Sequence, residues 1–496
     1  MLNKFNDSTS GEIDEAMEIA GEAANLYQKF SLQQRADFMK TIADYLENAG
    51  EELISVAMEE THLPAGRLQS EKSRTVFQLN NYAEACVKAD WMEVRIDTAD
   101  IKRIPAKPGI RKMMIPLGPV VVFGSSNFPF AYSTAGGDTA CAFAAGCPVI
   151  VKAHPAHANT SQLVADLILK AAQKCKMPNG IFTHIHGAGI ETGRQLVMHP
   201  QTKAVGFTGS FAGGKQLFDW GNQRKVPIPV FAEMGSVNPV FLLPGKLKEA
   251  YHEIADMYAV SVTLGVGQFC TNPGLIIGIE SEELDNFISA LAQKIKECVP
   301  GQMLHPGIAK AFNDKKQKAM QQQGVNQVAA SAIVAKQNEG SPTITKTSAQ
   351  NFLRNLILHE EVFGPYSLIV QCKNKDELLS VAKALEGQLT ASVMATGDDI
   401  SQNALLIDAI KNICGRLIYN GVPTGVEVCL SMQHGGPFPA TTDSRFTSVG
   451  ADGIKRFARP IAFQNWPNEL LPDELKDENP LGIWRTVNSE LTPPDL

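Results

Sequence analysis

Basic charge is scarce and nowhere concentrated. Over 496 residues, 45 Lys and Arg stand against 52 Asp and Glu, a net charge of −7. No stretch is dominated by Lys and Arg, which excludes a sequence-independent grip on nucleic acid phosphates. No uncharged run of about 18 apolar residues occurs, so no membrane span is expected. The opening residues, MLNKFNDSTSGEIDEAMEIA, lack the apolar centre of a signal peptide. The nine cysteines are an odd number with no CxxC pair and no zinc-type spacing, so neither a disulfide scaffold nor a metal site is expected. These absences point to a soluble cytoplasmic protein with reduced thiols. What is present is globular: 44% apolar and 20% charged residues, enough material for more than one core.

Residues 11 to about 90 carry apolar residues at three- and four-residue steps, as in Phe38, Ile42, Leu46, Leu53 and Val56. This is the pattern of a helical cap. Residues 92–116 change to two short extended runs around a Pro/Gly-rich middle, a hairpin or arm. From Gly118 short β-branched runs alternate with helical stretches: VVVF, PVIVKA, IFTHIHG, AVGFTGS and PVFAEM. Such alternation predicts βαβ units and a parallel sheet covered on both faces. A long helical segment at 247–268 runs into Phe269-Cys270-Thr271. A second alternation follows, with a Gln/Ala-rich helical stretch expected near 308–331. The last 30 residues are Pro-rich and acidic and read as a surface tail. The expected class is α/β. Residues 1–97 and 117–235 would form a Rossmann-like cofactor domain and 236–435 a second α/β catalytic domain. A small β oligomerisation arm would use 98–116 and 436–466, with 467–496 as an acidic tail.

Several residues at strand or helix ends have both an ordinary and a chemical reading. Gly187-Ala-Gly189-Ile-Glu-Thr-Gly193 misses GxGxxG by one residue and reads as a strand-to-helix turn. GFTGSFAGG (206–214) follows a strand and opens a helix, so Gly209 and Gly214 leave room for a phosphate beside helix N–H donors. Cys270 follows Gly265, Gly267 and Gln268, where the chain can bend and expose a thiol. Glu233 ends a strand at the edge where α/β ligands bind, although a salt-bridged Glu is the ordinary reading. Asn127, in SSNFPF, can donate to an oxyanion or cap a turn. Lys152 ends the strand VIVK.

The set SSNFPF (125–130), VIVKAHP (149–155), GFTGSFAGG (206–214), AEMGSVNP (232–239), GVGQFCTNPG (265–274) and EEVFGP (360–365) resembles the NAD(P)-dependent aldehyde dehydrogenase superfamily in order and spacing, over about residues 10–465. The resemblance implies an oxidation of an aldehyde through a covalent thioester. It makes Cys270 the nucleophile, Glu233 the general base and Asn127 the oxyanion-hole amide. Lys152 and Glu361 would hold the riboses, Phe363 would lie beside the nicotinamide, and Gly209, Ser210 and Gly214 would form the pyrophosphate turn. Phe130, Phe269 and Thr271 are expected to line the substrate pocket. A non-redox esterase or acyltransferase using Cys270 is the different-class alternative. Glu233 argues for water as acyl acceptor, and the Lys152 and Glu361 pair for a dinucleotide.

Two departures narrow the reading. Pro155 stands where many members specific for the non-phosphorylated cofactor carry a Glu, and His154 and His157 are close by. This favours NADP, or use of both NADP and NAD. HGGPFPATTDSRFTSVG (434–450) replaces the usual GGxxxSGxGRE-type segment. With ETHLP and GRLQSEKSRTVFQL (60–64, 66–79), it is similar to a branch holding dehydrogenases of 2-oxoglutarate semialdehyde (2,5-dioxovalerate) and of long-chain aldehydes. The acidic aldehyde is the favoured substrate, with a fatty or other aldehyde as the alternative. Arg445 and the HGGPF glycines are the candidates for its distal carboxylate. A homodimer or homotetramer is expected.

Overall fold

The computed structural model describes residues 2–492. The continuous apolar runs form a five-stranded, all-parallel sheet in the order Phe182–Ile185, Val149–Lys152, Val120–Phe123, Ala204–Thr208, Val230–Glu233. Its faces are buried by two apolar clusters. One includes Phe38, Phe143 and Val151 under the N-terminal helices, and the other Ile13, Val121 and Ile150. The strand first in sequence lies in the middle, so crossovers leave it in both directions. A crevice opens at the carboxyl ends there.

A second sheet has seven strands, in the order Asn326–Ala330, Thr343–Ser348, Tyr366–Cys372, Leu275–Ile279, Val240–Leu242, Gln388–Met394, Cys414–Tyr419. All neighbours are parallel except the first pair, which is antiparallel. The helical stretch expected near 308–331 ends at Met320. Residues 326–330 are an edge strand instead, in which the register shifts between Gln327 and Ala329, burying Ala329 and leaving Val328 partly buried against the same core.

The third sheet corrects two expectations. The arm strand Ile110–Pro116 lies between Ala458–Gln464 and Arg95–Asp97, and the latter pairs in parallel with Arg485–Val487, followed by Glu490–Thr492. The C-terminal segment is therefore no solvated tail within the described residues. Leu471, Leu475 and Ile483 are buried, and Arg111 reaches Asp477 at 2.8 Å. Charged residues between those few apolar anchors hid the pattern. Residues 436–457 also lie outside the arm. Ile454 and Phe457 join the apolar core on one face of the five-stranded sheet. Arg456, buried, binds Asp138 on the helix Gly137–Ala145 at 2.7 Å and the Gly453 carbonyl at 3.1 Å. No helix among the described residues is long and apolar enough to cross a membrane.

Breaking one side of a buried ion pair leaves an uncompensated charge. Asp138→Ala should therefore destabilise the protein by about 3–5 kcal/mol, read from the denaturant midpoint, and adding Arg456→Met should recover part of the loss.

Candidate active site

Four of the singled-out residues sit at carboxyl ends of the parallel sheet. Lys152 and Glu233 end their strands, Gly209 follows Thr208, and Asn127 lies just past Phe123. Cys270 arrives from the other domain. The helix Pro244–Thr263 stops where Gly265, Val266 and Gly267 are all left-handed, with φ of 55°, 59° and 63°. That geometry is costly for a β-branched valine. At Gly267 a Cβ would lie 2.4 Å from the Gly364 carbonyl carbon, so the turn presses directly on the 360–365 loop. The turn delivers Gln268, whose carbonyl accepts from Asn127 Nδ2 at 3.1 Å and whose Oε1 accepts from the Leu304 N–H at 3.0 Å.

Asn238 ties the two loops together. It is fully buried with φ of 46°. Its Nδ2 donates to the Cys270 carbonyl at 2.8 Å and the Asn272 carbonyl at 2.9 Å. Its Oδ1 accepts from Ser236 at 3.0 Å and Thr390 at 2.8 Å.

The nucleophile candidate has a partner that sequence reasoning did not single out. The Cys270 Sγ, a Glu233 oxygen and a His434 ring nitrogen all lie within 4.8 Å of one another. His434 Nε2 is 3.6 Å from Sγ and 3.0 Å from Glu233 Oε1. Ser448 Oγ donates to Glu233 Oε2 at 2.5 Å. Burial alone would raise the Glu233 carboxyl, but His434, Ser448 and Cys270 outweigh it and hold it below its usual range. Burial and then the Glu233 charge push the Cys270 thiol well up. His434 and Ser448 reach Glu233 because residues 440–442 run along the edge of Val230–Glu233. The Met234 N–H donates to the Ala440 carbonyl at 2.8 Å, and the Thr442 N–H to the Ala232 carbonyl at 3.1 Å. HGGPF was visible as a departure, but its histidine had no assignable partner in sequence.

At the other end of the crevice, the helix Phe211–Gln223 begins after Ser210, which accepts from the Gly213 N–H at 3.2 Å. A Cβ on Gly209 would meet the Phe207 ring and one on Gly214 the Met234 side chain, each at about 2.6 Å. This is a tight cradle that fits a pyrophosphate. Glu361 and Phe363 line a narrow cleft with Phe269 and Ser236. Burial pushes the Glu361 carboxyl up to about 7, a group suited to hydroxyl partners. Burial lowers Lys152, against the opposing charge of Asp7. Asp7 also accepts from the Ala188 N–H at 2.8 Å, so the 187–193 turn already has a partner within the chain.

Several expectations need correcting. His154 and His157 supply no cation. Burial pushes both down, His157 Nε2 sits 2.8 Å from the Ser125 carbonyl, and His154 Nδ1 accepts from the Ala156 N–H at 3.2 Å. Pro155 is exposed at the start of a short 3₁₀ turn. Phe130 is buried in the core on one face of the five-stranded sheet, held by a bond from its N–H to Glu71 at 2.8 Å. Its neighbours Phe128 and Tyr132 face the site instead. The Phe128 ring lies 5.7 Å from that of Phe269, and the Tyr132 ring 6.4 Å from that of His434. Thr271 is buried. Arg445 is far too exposed, at 80% of its side chain, and is occupied by Asp443 at 2.5 and 2.8 Å. The HGGPF glycines are packing devices. A Cβ on Gly436 would strike the Gln388 carbonyl oxygen at 2.2 Å, and one on Gly415 the Gly435 carbonyl oxygen at 2.0 Å.

The aldehyde dehydrogenase family model matches residues 1–438. The chain belongs to the aldehyde dehydrogenase family. It is thus an oxidoreductase acting on a small-molecule aldehyde with a nicotinamide cofactor. It is 45% identical over 97% of its length to an alpha-ketoglutaric semialdehyde dehydrogenase 2 of Azospirillum brasilense, covering 92% of that protein. To an alpha-ketoglutaric semialdehyde dehydrogenase of Acinetobacter baylyi it is 44% identical over 98%, covering 93%. Among solved structures, a glyceraldehyde-3-phosphate dehydrogenase GapN from Methanocaldococcus jannaschii, complexed with NADP, superposes with a TM-score of 0.78 at 18% identity. That match covers 94% of this chain and 96% of that one. It bears on the fold alone.

The electrostatics generate a test. Removing the Glu233 charge removes a cause of the raised Cys270 thiol, so more thiolate forms at a given pH below its titration. Glu233→Gln should be alkylated by iodoacetamide at Cys270 faster than the unaltered protein at pH 7, with the inflection of the rate profile moved to lower pH.

Proposed function

We propose that the chain oxidises 2-oxoglutarate semialdehyde (2,5-dioxopentanoate) to 2-oxoglutarate. The observation that carries this reading is the near-full-length identity of 45% and 44% to two proteins bearing that activity in their names.

The chemistry follows from the neighbours of Cys270. Its thiol is held neutral, so attack on the aldehyde carbon needs a base. Water takes the proton as the sulfur attacks, while the His434 Nε2–H, 3.0 Å from Glu233 Oε1, stabilises that carboxylate for the later step. The oxyanion is met by the second N–H of the Asn127 amide and by the Cys270 backbone N–H. A bound nicotinamide ring supplies the hydride acceptor. Gly209, Ser210 and Gly214 would cradle its pyrophosphate, while Lys152 and Glu361 would hold the riboses and Phe363 the nicotinamide end. Glu233, kept anionic, then removes a proton from the water that attacks the thioester on Cys270. That step releases the acid and regenerates the thiol.

A panel of aldehydes assayed by cofactor reduction tests the substrate. The acidic five-carbon semialdehyde should have the highest kcat/KM. Preference for a chain of ten carbons or more would overturn the substrate and leave the thiol chemistry standing. Glu233→Gln should show a burst of reduced cofactor and then slow turnover. An equal fall in burst and turnover rates would remove Glu233 from the hydrolytic step.

NADP is the favoured cofactor, with NAD also accepted. Pro155 leaves no carboxylate at its position to repel a 2′-phosphate, and Lys152 is the cation available to pair with it. Pro155→Glu should weaken NADP selectively, by about 1–3 kcal/mol in the ratio of the two cofactors' kcat/KM. Assembly as a homodimer or homotetramer is supported by Ala458–Gln464, an unpaired sheet edge of the kind that a second copy covers. Sedimentation velocity at micromolar concentration should find no stable monomer.

A further inference from the structure

Three arginines lie around the approach to Cys270, and their charge is poorly matched. Arg67 stacks over the rings of Phe128 and Phe269, at 4.8 and 4.7 Å, and donates to the Asn127 carbonyl at 2.8 Å. Arg74, two turns on in the same helix Ala65–Lys88, donates from Nη1 to the Val426 carbonyl at 2.5 Å. Arg416, in the strand Cys414–Tyr419, donates from Nη2 to the carbonyls of Pro423 at 2.8 Å and Gly425 at 2.9 Å. The one carboxyl among them is Glu71, 3.9 Å from Arg67. It spends one oxygen on the Phe130 and Ala131 N–H groups, at 2.8 and 3.0 Å, and burial pushes it up to about 7. It does not neutralise three guanidinium groups.

The unspent donors are specific. Among the described residues, Arg74 Nε and Nη2, Arg416 Nε and Arg67 Nη1 are buried without a well-formed hydrogen bond, although the Tyr132 hydroxyl lies within reach of the Arg74 guanidinium. Nε and Nη2 form one edge of the planar guanidinium, two parallel N–H bonds spaced to meet both oxygens of a carboxylate. Burying such a pair of donors unmet is costly, so the fork is built for an acceptor. Tyr132 links this edge to the reacting atoms. Its ring packs against Phe128 at 5.1 Å and stands 6.4 Å from that of His434, and its buried hydroxyl interacts with the Arg74 guanidinium and with the charges of Glu233 and Cys270.

We propose that the Nε–Nη2 edge of Arg74 is the seat for the distal carboxylate of the aldehyde. Arg416 pins the 423–425 backbone that Arg74 also grips one residue further on, and adds a second positive charge. Both arginines thus use one nitrogen to hold the loop and keep the rest for an anion. A substrate whose carboxylate lies at the far end from its aldehyde then bridges Arg74 and Cys270, while an uncharged aldehyde leaves the fork unmet. Arg67 is a positioning residue, bracing the backbone of Asn127. The assignment rests on the reading of the substrate as an acidic semialdehyde.

The experiment compares kcat/KM for 2-oxoglutarate semialdehyde and for pentanal in the full-length protein, its Arg74→Met and Arg74→Lys variants, and Arg445→Met. In Arg74→Met the acid-to-neutral ratio should fall about 100-fold, on the order expected for truncating a buried charge partner. Arg74→Lys should restore only part of it, because an ammonium offers no planar fork. Arg445→Met should leave the ratio as it is. If Arg74→Met does not fold, the lysine variant carries the test through the same ratio, and an unchanged ratio there overturns the seat. Equal loss on both aldehydes also overturns it, as that is the mark of a structural role. If the unaltered protein itself prefers pentanal, the substrate reading fails. If it prefers the acid and Arg74→Met keeps that preference, only the arginine assignment fails.

Discussion

The side-chain amide of Asn238 is the constraint on which the site depends. The nucleophile and the base come from different sheets, and little covalent structure relates them. Asn238 follows Glu233 by five residues and donates both amide hydrogens across to the carbonyls of Cys270 and Asn272. Its oxygen is held in turn by Ser236 and Thr390, and Gln388 Oε1 accepts from the Val237 N–H at 2.8 Å. Every polar atom of that fully buried amide is used, where a half-satisfied network would be costly. The separation of Sγ from the Glu233 carboxylate is therefore set by backbone anchors rather than by the two reacting side chains, which stay free to exchange protons.

That separation carries an electrostatic tension. A carboxylate beside a thiol opposes thiolate formation, yet the same carboxylate must stay charged for the later attack by water. His434 answers the second demand: its Nε2–H, 3.0 Å from Glu233 Oε1, helps to hold that carboxyl below its usual range. Its buried Nδ1 has no hydrogen-bond partner among the described residues, so the ring is oriented through Nε2 alone, whose N–H faces Glu233 Oε1 at 3.0 Å.

What was legible in the chain follows from physical period. Strands buried on both faces, such as Val120–Phe123 and Val149–Lys152, are continuous apolar runs and were read correctly. So were amphipathic helices such as Leu32–Glu47, which buries Phe38, Ile42 and Leu46. Asn326–Ala330 was misread because Gln and Ala suit either element and its edge position removes the apolar signal. Arg485–Val487 was missed because three residues carry no period. Glycine spacing located the bend before Cys270, but only coordinates reveal that Gly415 and Gly436 are small to let backbones touch. Long-range pairing was out of reach. Phe130 and Tyr132 are two residues apart and lie in different surroundings, and Arg74 gains meaning only from Val426, 352 positions away.

The late arrival of Phe457 and Arg456 has a consequence for how the protein is made. Their partners near Cys141 lie 315 residues upstream. A ribosome adding about 5–20 residues per second needs roughly 15–60 s to cover that distance. Throughout that time the nascent cofactor domain exposes the apolar bed that Ile454 and Phe457 will fill, with Asp138 facing no cation. The first domain to emerge is among the last to be finished. Its half-built surface is a natural client for a chaperone at the ribosome exit.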